Sequence, residues 1–216
     1  MAVEITVRGE AEAHYPAERA IVTMAATVEI AGKQQAYDQA TAIQQAVTAQ
    51  LTELADRDAV IDWSSGQVSV FSHRPWRDNG ERGDPVHVAR VEIVAQFSDF
   101  DRLGGFVDYW AGRDGVEIVG IVWDVLERNR RAYAADLRRA AVEDAVNRAQ
   151  TYADALRRGR VVPTRIADPG LLDSGDPPRP YALRMETAAA DTGGGLQLTP
   201  EPVHIHVAVD AGFAAD

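Results

Sequence analysis

The chain contains no cysteine, so disulfides, thiolate-bound zinc and cysteine nucleophiles are all excluded. It contains one lysine, Lys33, and nearly all of its positive charge is therefore arginine. Acidic residues outnumber basic ones 33 to 22, for a formal charge of −11. That excess repels phosphate backbones and anionic lipid, so neither nucleic acid nor a membrane is expected as a partner. The most basic stretch, Arg128 to Arg139, runs on into Glu143 and Asp144 and contains Asp136; it reads as a solvated face. Long apolar runs are missing too, and none approaches the roughly 20 residues of a membrane span. The opening, MAVEITVRGEAEA, has no apolar core of signal-peptide length and places Glu4, Arg8 and Glu10 early. A cytoplasmic location is the expectation that follows.

Familiar catalytic phrases are absent as well. Ser64 and Ser65 precede Gly66 without forming a G-x-S-x-G elbow, which speaks against a serine nucleophile. Gly193 to Gly195 lacks the Lys-Ser/Thr of a phosphate loop and reads as a mobile tip. Asp62, Asp99, Asp101 and Asp108 invite a paired-carboxylate reading. However, Asp62 flanks a strand pattern, and Asp99 and Asp101 suit a helix N-terminus. No catalytic residue and no cofactor is expected.

What is present is periodicity. Residues 130–158 hold one helical pattern without Gly or Pro, in which Leu137, Ala141, Ala145, Ala149, Tyr152 and Leu156 form a stripe at three- and four-residue steps. Small residues on that stripe allow the helix to lie close to whatever it covers. Gly159 is the expected C-terminal stop, with Arg157 and Arg158 against the negative end of the dipole.

Alternation predicts strands over 3–8 and 19–30, separated by a break at Gly9 to Pro16 and close enough in sequence to pair with each other. A helix is predicted from Lys33 to Leu54, then strands over 61–71 and 86–97 joined by the polar loop SHRPWRDNGERGDP. A short helix capped by Ser98 or Asp99 runs to Trp110, and a strand follows over 116–125. After the long helix come strands over 161–167 and 203–209, with a further one at Tyr181 to Glu186. The order predicts an α+β fold, an antiparallel sheet covered by helices, in one domain over 1–216 with flexible loops at 72–85 and 168–200.

Several segments together resemble the SIMPL-domain family, bacterial proteins of largely unknown function that include periplasmic antigens. In the opening phrase, Ile5, Val7, Gly9, Ala11, Pro16, Arg19 and Ala20 take the family's places. The segment VARVEIVAQFSDFDRLGGFVDYWAGRDGVEIVGIVWDV is similar to its strand, Leu-Gly helix and following strand. The alanine repeat of the long helix is similar to the family's A-x-x-x-A segment, with Gly159 two residues later than usual. The resemblance implies an α+β domain and, in some members, homo-oligomers; it transfers no catalytic residue. From its opening residues no export signal like that of many relatives is expected, and the loop before Pro85 is long and charged.

Two groups of residues remain as candidate sites. His204 and His206, i and i+2 on a strand, point the same way and could share a metal ion, with His14, His73, His87 or a carboxylate as third ligand. As the polar face of a strand the pair needs no metal. Trp76 stands in a polar loop with Arg74 and Arg77 beside it, a composition suited to a partner contact; folding back over the sheet edge is the other outcome. The reading that follows is a non-catalytic protein acting by self-assembly or by binding a protein or ligand, with a stress-response accessory role among its forms. The alternative is a metal-dependent enzyme or metal-binding protein using His204 and His206.

Overall fold

The computed structural model describes residues 2–76, 80–171 and 198–216. Its elements in chain order are β1 (Val3–Tyr15), β2 (Arg19–Ile30), α1 (Lys33–Ala55), β3 (Val60–Ser65), β4 (Ser69–His73), β5 (Val86–Phe97), α2 (Phe100–Ala111), β6 (Val116–Asp124), α3 (Glu127–Ala155), β7 (Val162–Ala167) and β8 (Val203–Ala215). The architecture is α+β with every strand pairing antiparallel. The strands divide between two sheets, one ordered β1-β8-β7 and one ordered β3-β5-β2-β6 with β4 also on β5. The expected strand at Tyr181 to Glu186 and the tip at Gly193 to Gly195 lie outside the described residues.

The contacts group the chain into two compact units. One holds β1, α3, β7 and β8. Here β1 and β8 pair over their full length, from Val3 opposite Ala215 to Tyr15 opposite Val203. The alternate residues Ile5, Val7, Ile205, Val209, Ala211 and Phe213 are buried, as a half-covered sheet requires. α3 lies on that face with Leu137, Ala141, Ala145, Ala149 and Ala153 inward. The four alanines follow at four-residue steps, and such a row runs aslant the helix axis by about 26°.

The closest approach is at Gly9. A Cβ there would run into the Ala141 carbonyl oxygen and lie 2.6 Å from the Ala145 nitrogen and 2.7 Å from its Cβ. Gly9 is therefore not the expected break between strands. It is the point where β1 touches a helix backbone, and the strand continues to Tyr15. β1 is an edge strand, and the Glu10 N–H donates to Asp144 Oδ2 at 2.9 Å from α3. Asp144 is itself held by Arg148 at 2.8 Å.

Three further expectations are corrected. β1 and β2 do not pair with each other; β1 takes β8 as partner and β2 takes β5 and β6. β1 thereby pairs along its whole length, and β2 is flanked by a strand on each side, which a lone hairpin would leave open on one edge. The inward stripe of α3 turns to Ala153, leaving Tyr152 at 58% and Leu156 at 56% exposure. Gly159 does not stop the helix: Arg157 takes the left-handed conformation at φ 55°. The Arg158 and Arg157 amides return to the Ala153 and Asp154 carbonyls, the two bonds of a Schellman end.

The second unit holds the remaining elements. α1 and α2 pack larger side chains onto its sheet, with Val22, Met24, Leu51, Ile93, Phe97, Leu103 and Phe106 at the centre. Asp99 caps α2 by accepting from the Arg102 N–H at 3.0 Å, and the indole N–H of Trp110 donates to Gln50 at 2.8 Å. Arg19 and Asp124, paired in register between β2 and β6, form a mostly buried ion pair at 2.6 Å. The strand expected over 61–71 is interrupted after Ser65, and β3 and β4 meet different halves of β5. The Gly66 N–H still reaches the Glu92 carbonyl at 2.8 Å.

Replacing Gly9 by Ala is expected to destabilise the fold by about 3 kcal/mol, the upper end of overpacking costs, because the obstruction is helix backbone. Gly120→Ala, where an added Cβ meets nothing within 4 Å, should stay within about 0.5 kcal/mol. Urea unfolding followed by circular dichroism compares the two, and equal midpoints would refute the close-contact argument.

Candidate functional site

The outward face of the β1–β8 ladder carries the polar phase of both strands. Arg8, Glu10, Glu12 and His14 alternate along β1, and His204, His206, Ala208 and Asp210 along β8. Register sets His14 opposite His204, Glu12 opposite His206, and Arg8 opposite Asp210. The pair singled out in the sequence, His204 and His206, is thus joined by His14 and by Glu12. The His14 and His204 rings stack with centroids 4.8 Å apart and planes 23° from parallel. His204 Nε2 lies 3.1 Å from Glu12 Oε2. The other two histidines are placed in the second unit: His73 sits 3.3 Å from Glu29, and His87 is paired with Ser72 and Ile30. Neither joins the ladder.

Behind this face the packing is aromatic and aliphatic. Tyr15 stacks on Tyr133 of α3 at 3.8 Å, and Val125, Leu137 and Ile205 fill the layer beneath. The histidine corner therefore stands on a backbone fixed from below, although its own side chains are exposed.

Further along the ladder the chemistry changes. Asp210 is buried, with 6% exposure. Its carboxylate accepts from Arg8 Nε at 2.7 Å and Nη2 at 3.1 Å, and from the Gly170 N–H at 2.8 Å. The Arg8 hydrogen bonds hold its pKa below the usual carboxylate range against the opposing effect of burial, and the Gly170 amide adds to the lowering. This is a structural lock that ties β1, β8 and the segment after β7. Neither Arg8 nor Asp210 stands out in the sequence, because the residues that pair them are 202 positions apart.

The second candidate, Trp76, is 69% exposed. It does not fold back over the sheet edge. It forms an isolated bridge with Arg82, whose guanidinium lies 5.3 Å from the ring centroid. The Gly83 N–H closes the base of this tip onto the Pro75 carbonyl at 2.8 Å. Arg74 is exposed beside it, and Phe71 on β4 is 55% exposed. Arg77 lies outside the described residues.

An open groove of about 560 Å³ also lies in this unit, lined by residues of α1, the end of α2 and the start of β6, among them Ile43, Tyr109 and Arg113. Arg113 stacks over Tyr109 at 4.5 Å and donates to its hydroxyl at 2.8 Å. The groove's charged rim is thus turned on itself, and none of the histidines lines it. The four carboxylates considered for acid–base work do not gather. Asp99 caps α2, Asp101 occupies its first turn, and Asp62 accepts from the Trp63 amide at 2.9 Å. No helix among the described residues is long and apolar enough to cross a membrane.

A family model described as SIMPL, protein of unknown function (DUF541), matches residues 5–213. No curated protein matches the chain.

The lowered pKa of Asp210 gives a signed expectation. With the native value below the unfolded one of about 3.9, the ionised carboxylate stabilises the fold at every pH above that value. The contribution fades as pH falls through the native pKa. Asp210→Asn should cost about 2 kcal/mol at neutral pH, the range for hydrogen bonds to a charged group. It should also flatten the loss of stability below about pH 4. Urea midpoints measured from pH 7 to pH 2 for both proteins provide the check.

Proposed function

The chain belongs to the SIMPL family, and from that premise we propose that it works by non-covalent association, with copies of itself in the first place, and not by turnover. The observation that supports this reading is Trp76. An indole 69% exposed keeps a large apolar area in water, and tryptophan and arginine are the residues most enriched where interface energy concentrates. The ring is also presented in advance. The bridge to Arg82, the guanidinium over its face and the Gly83–Pro75 hydrogen bond hold Trp76 in place before any partner arrives. Pre-ordering of this kind lowers the entropy lost on binding.

Arg74 and Phe71 extend the surface along the same arm, and Arg77 follows Trp76 directly in sequence. A second copy is the occupant we favour, in line with the homo-oligomers that the family resemblance implies. A self-complementary contact through this arm would give a two-fold dimer.

Size-exclusion chromatography with light scattering tests the reading. The wild-type chain should run at a multiple of 23.5 kDa. Trp76→Ala should weaken association about 30-fold, the equivalent of a hot-spot loss near 2 kcal/mol. Its melting temperature should be unchanged, because the side chain leaves little packing behind. A wild-type monomer at about 100 μM, a concentration well above that of ordinary specific complexes, would overturn the proposal. So would a Trp76→Ala protein with the wild-type mass distribution.

A further inference from the structure

The first and last strands set four donor side chains in a two-by-two square. His14 faces His204 and Glu12 faces His206 across the ladder, and all four share one side of it because residues two apart point the same way. Directly opposed Cβ atoms lie about 4.5–5.5 Å apart, and residues two apart along a strand about 6.8 Å. Three imidazoles and a carboxylate rising from a footprint of that size reach a common point above the sheet.

The side chains are part of the way there. Donors on neighbouring corners of a tetrahedron with metal bonds of 2.0–2.1 Å stand about 3.3 Å apart. Glu12 Oε2 and His204 Nε2 are 3.1 Å apart, already near that spacing. The stacked His14 ring brings a second imidazole alongside. As the side chains stand, no three His, Asp or Glu groups among the described residues converge closely enough to hold an ion, since His14 offers His204 its ring face. Bringing its nitrogen round, and His206 inward, takes rotamer changes of exposed side chains, which occur in picoseconds to nanoseconds. The backbone beneath need not move.

We propose that His14, His204, His206 and Glu12 form a surface site for one first-row divalent transition ion of the zinc or nickel class. Imidazole nitrogen selects such ions over magnesium or calcium, which prefer all-oxygen shells. The ion would take the place of the direct His204–Glu12 contact, and would clip β1 to β8 at the end of the ladder that β7 does not reach.

Titration of the untagged full-length chain with nickel chloride, followed by NMR of the five histidine rings, tests this directly. Expected is one ion per chain with a dissociation constant of about 10 μM or tighter. The ring signals of His14, His204 and His206 should broaden, and those of His73 and His87 should not. His14→Ala and His204→Ala should each weaken binding about 10- to 100-fold, whereas His73→Ala should bind as wild type. Zinc in excess should raise the melting temperature of the wild type and not of His204→Ala, since a ligand that binds only the folded state stabilises it. All these side chains are exposed, so the variants should fold, and their circular dichroism confirms it. No broadening at about 1 mM nickel, the limit of meaningful affinity, would overturn the site. Equal broadening at all five rings, or binding untouched by His14→Ala and His204→Ala, would do the same.

Discussion

Contact between Gly9 and the backbone of α3 sets the geometry of the first unit. Only a residue without Cβ can sit at that position of β1, and only small residues at 141 and 145 allow the helix down to it. The rest of the interface follows. The alanine row continues to Ala153, fully buried, so the layer between helix and sheet is thin and its apolar volume comes mainly from the sheet side. A helix this close can also serve the strand's edge: Asp144 satisfies the Glu10 amide, which no neighbouring strand meets.

The second unit solves the same problem with bulk instead of proximity. Its helices bring Leu51, Leu103, Phe106 and Trp110 to a sheet bearing Met24, Ile93 and Phe97. The two units also present different surfaces. The thin unit presents a polar ladder with histidines at one end and a locked Arg8–Asp210 pair further along. The bulky unit presents an arm whose tip is an exposed, pre-ordered tryptophan.

Local order was readable in the sequence, and so was the pairing of 61–71 with 86–97; the partner of β1 was not. α1 follows the apolar period from Lys33 to within a residue of its observed end at Ala55, and the Asp99 cap is where side-chain chemistry places it. The alanine stripe was legible as far as Ala149. Beyond it Tyr152 and Leu156 look like better core residues than Ala153, yet the sheet leaves room only for the alanine. Gly9 reads as a break because its neighbour, the α3 backbone, lies more than 130 positions away. The candidate site was half visible for the same reason. His204 and His206 announce themselves by spacing, whereas His14 and Glu12 become their neighbours only through a 13-residue ladder between distant segments. A hint was available in the matching polar phases of the two strands, Glu10, Glu12 and His14 on one and His204 and His206 on the other.

That ladder has a consequence in time. Val3 finds its partner in Ala215, so β1 leaves the ribosome well before the strand that completes it. At translation speeds of about 5–20 residues per second, β1 spends on the order of ten seconds or more without its mate. Throughout that interval Ile5 and Val7 lack the far half of their sheet, while the elements from β2 to β6 can already assemble among themselves.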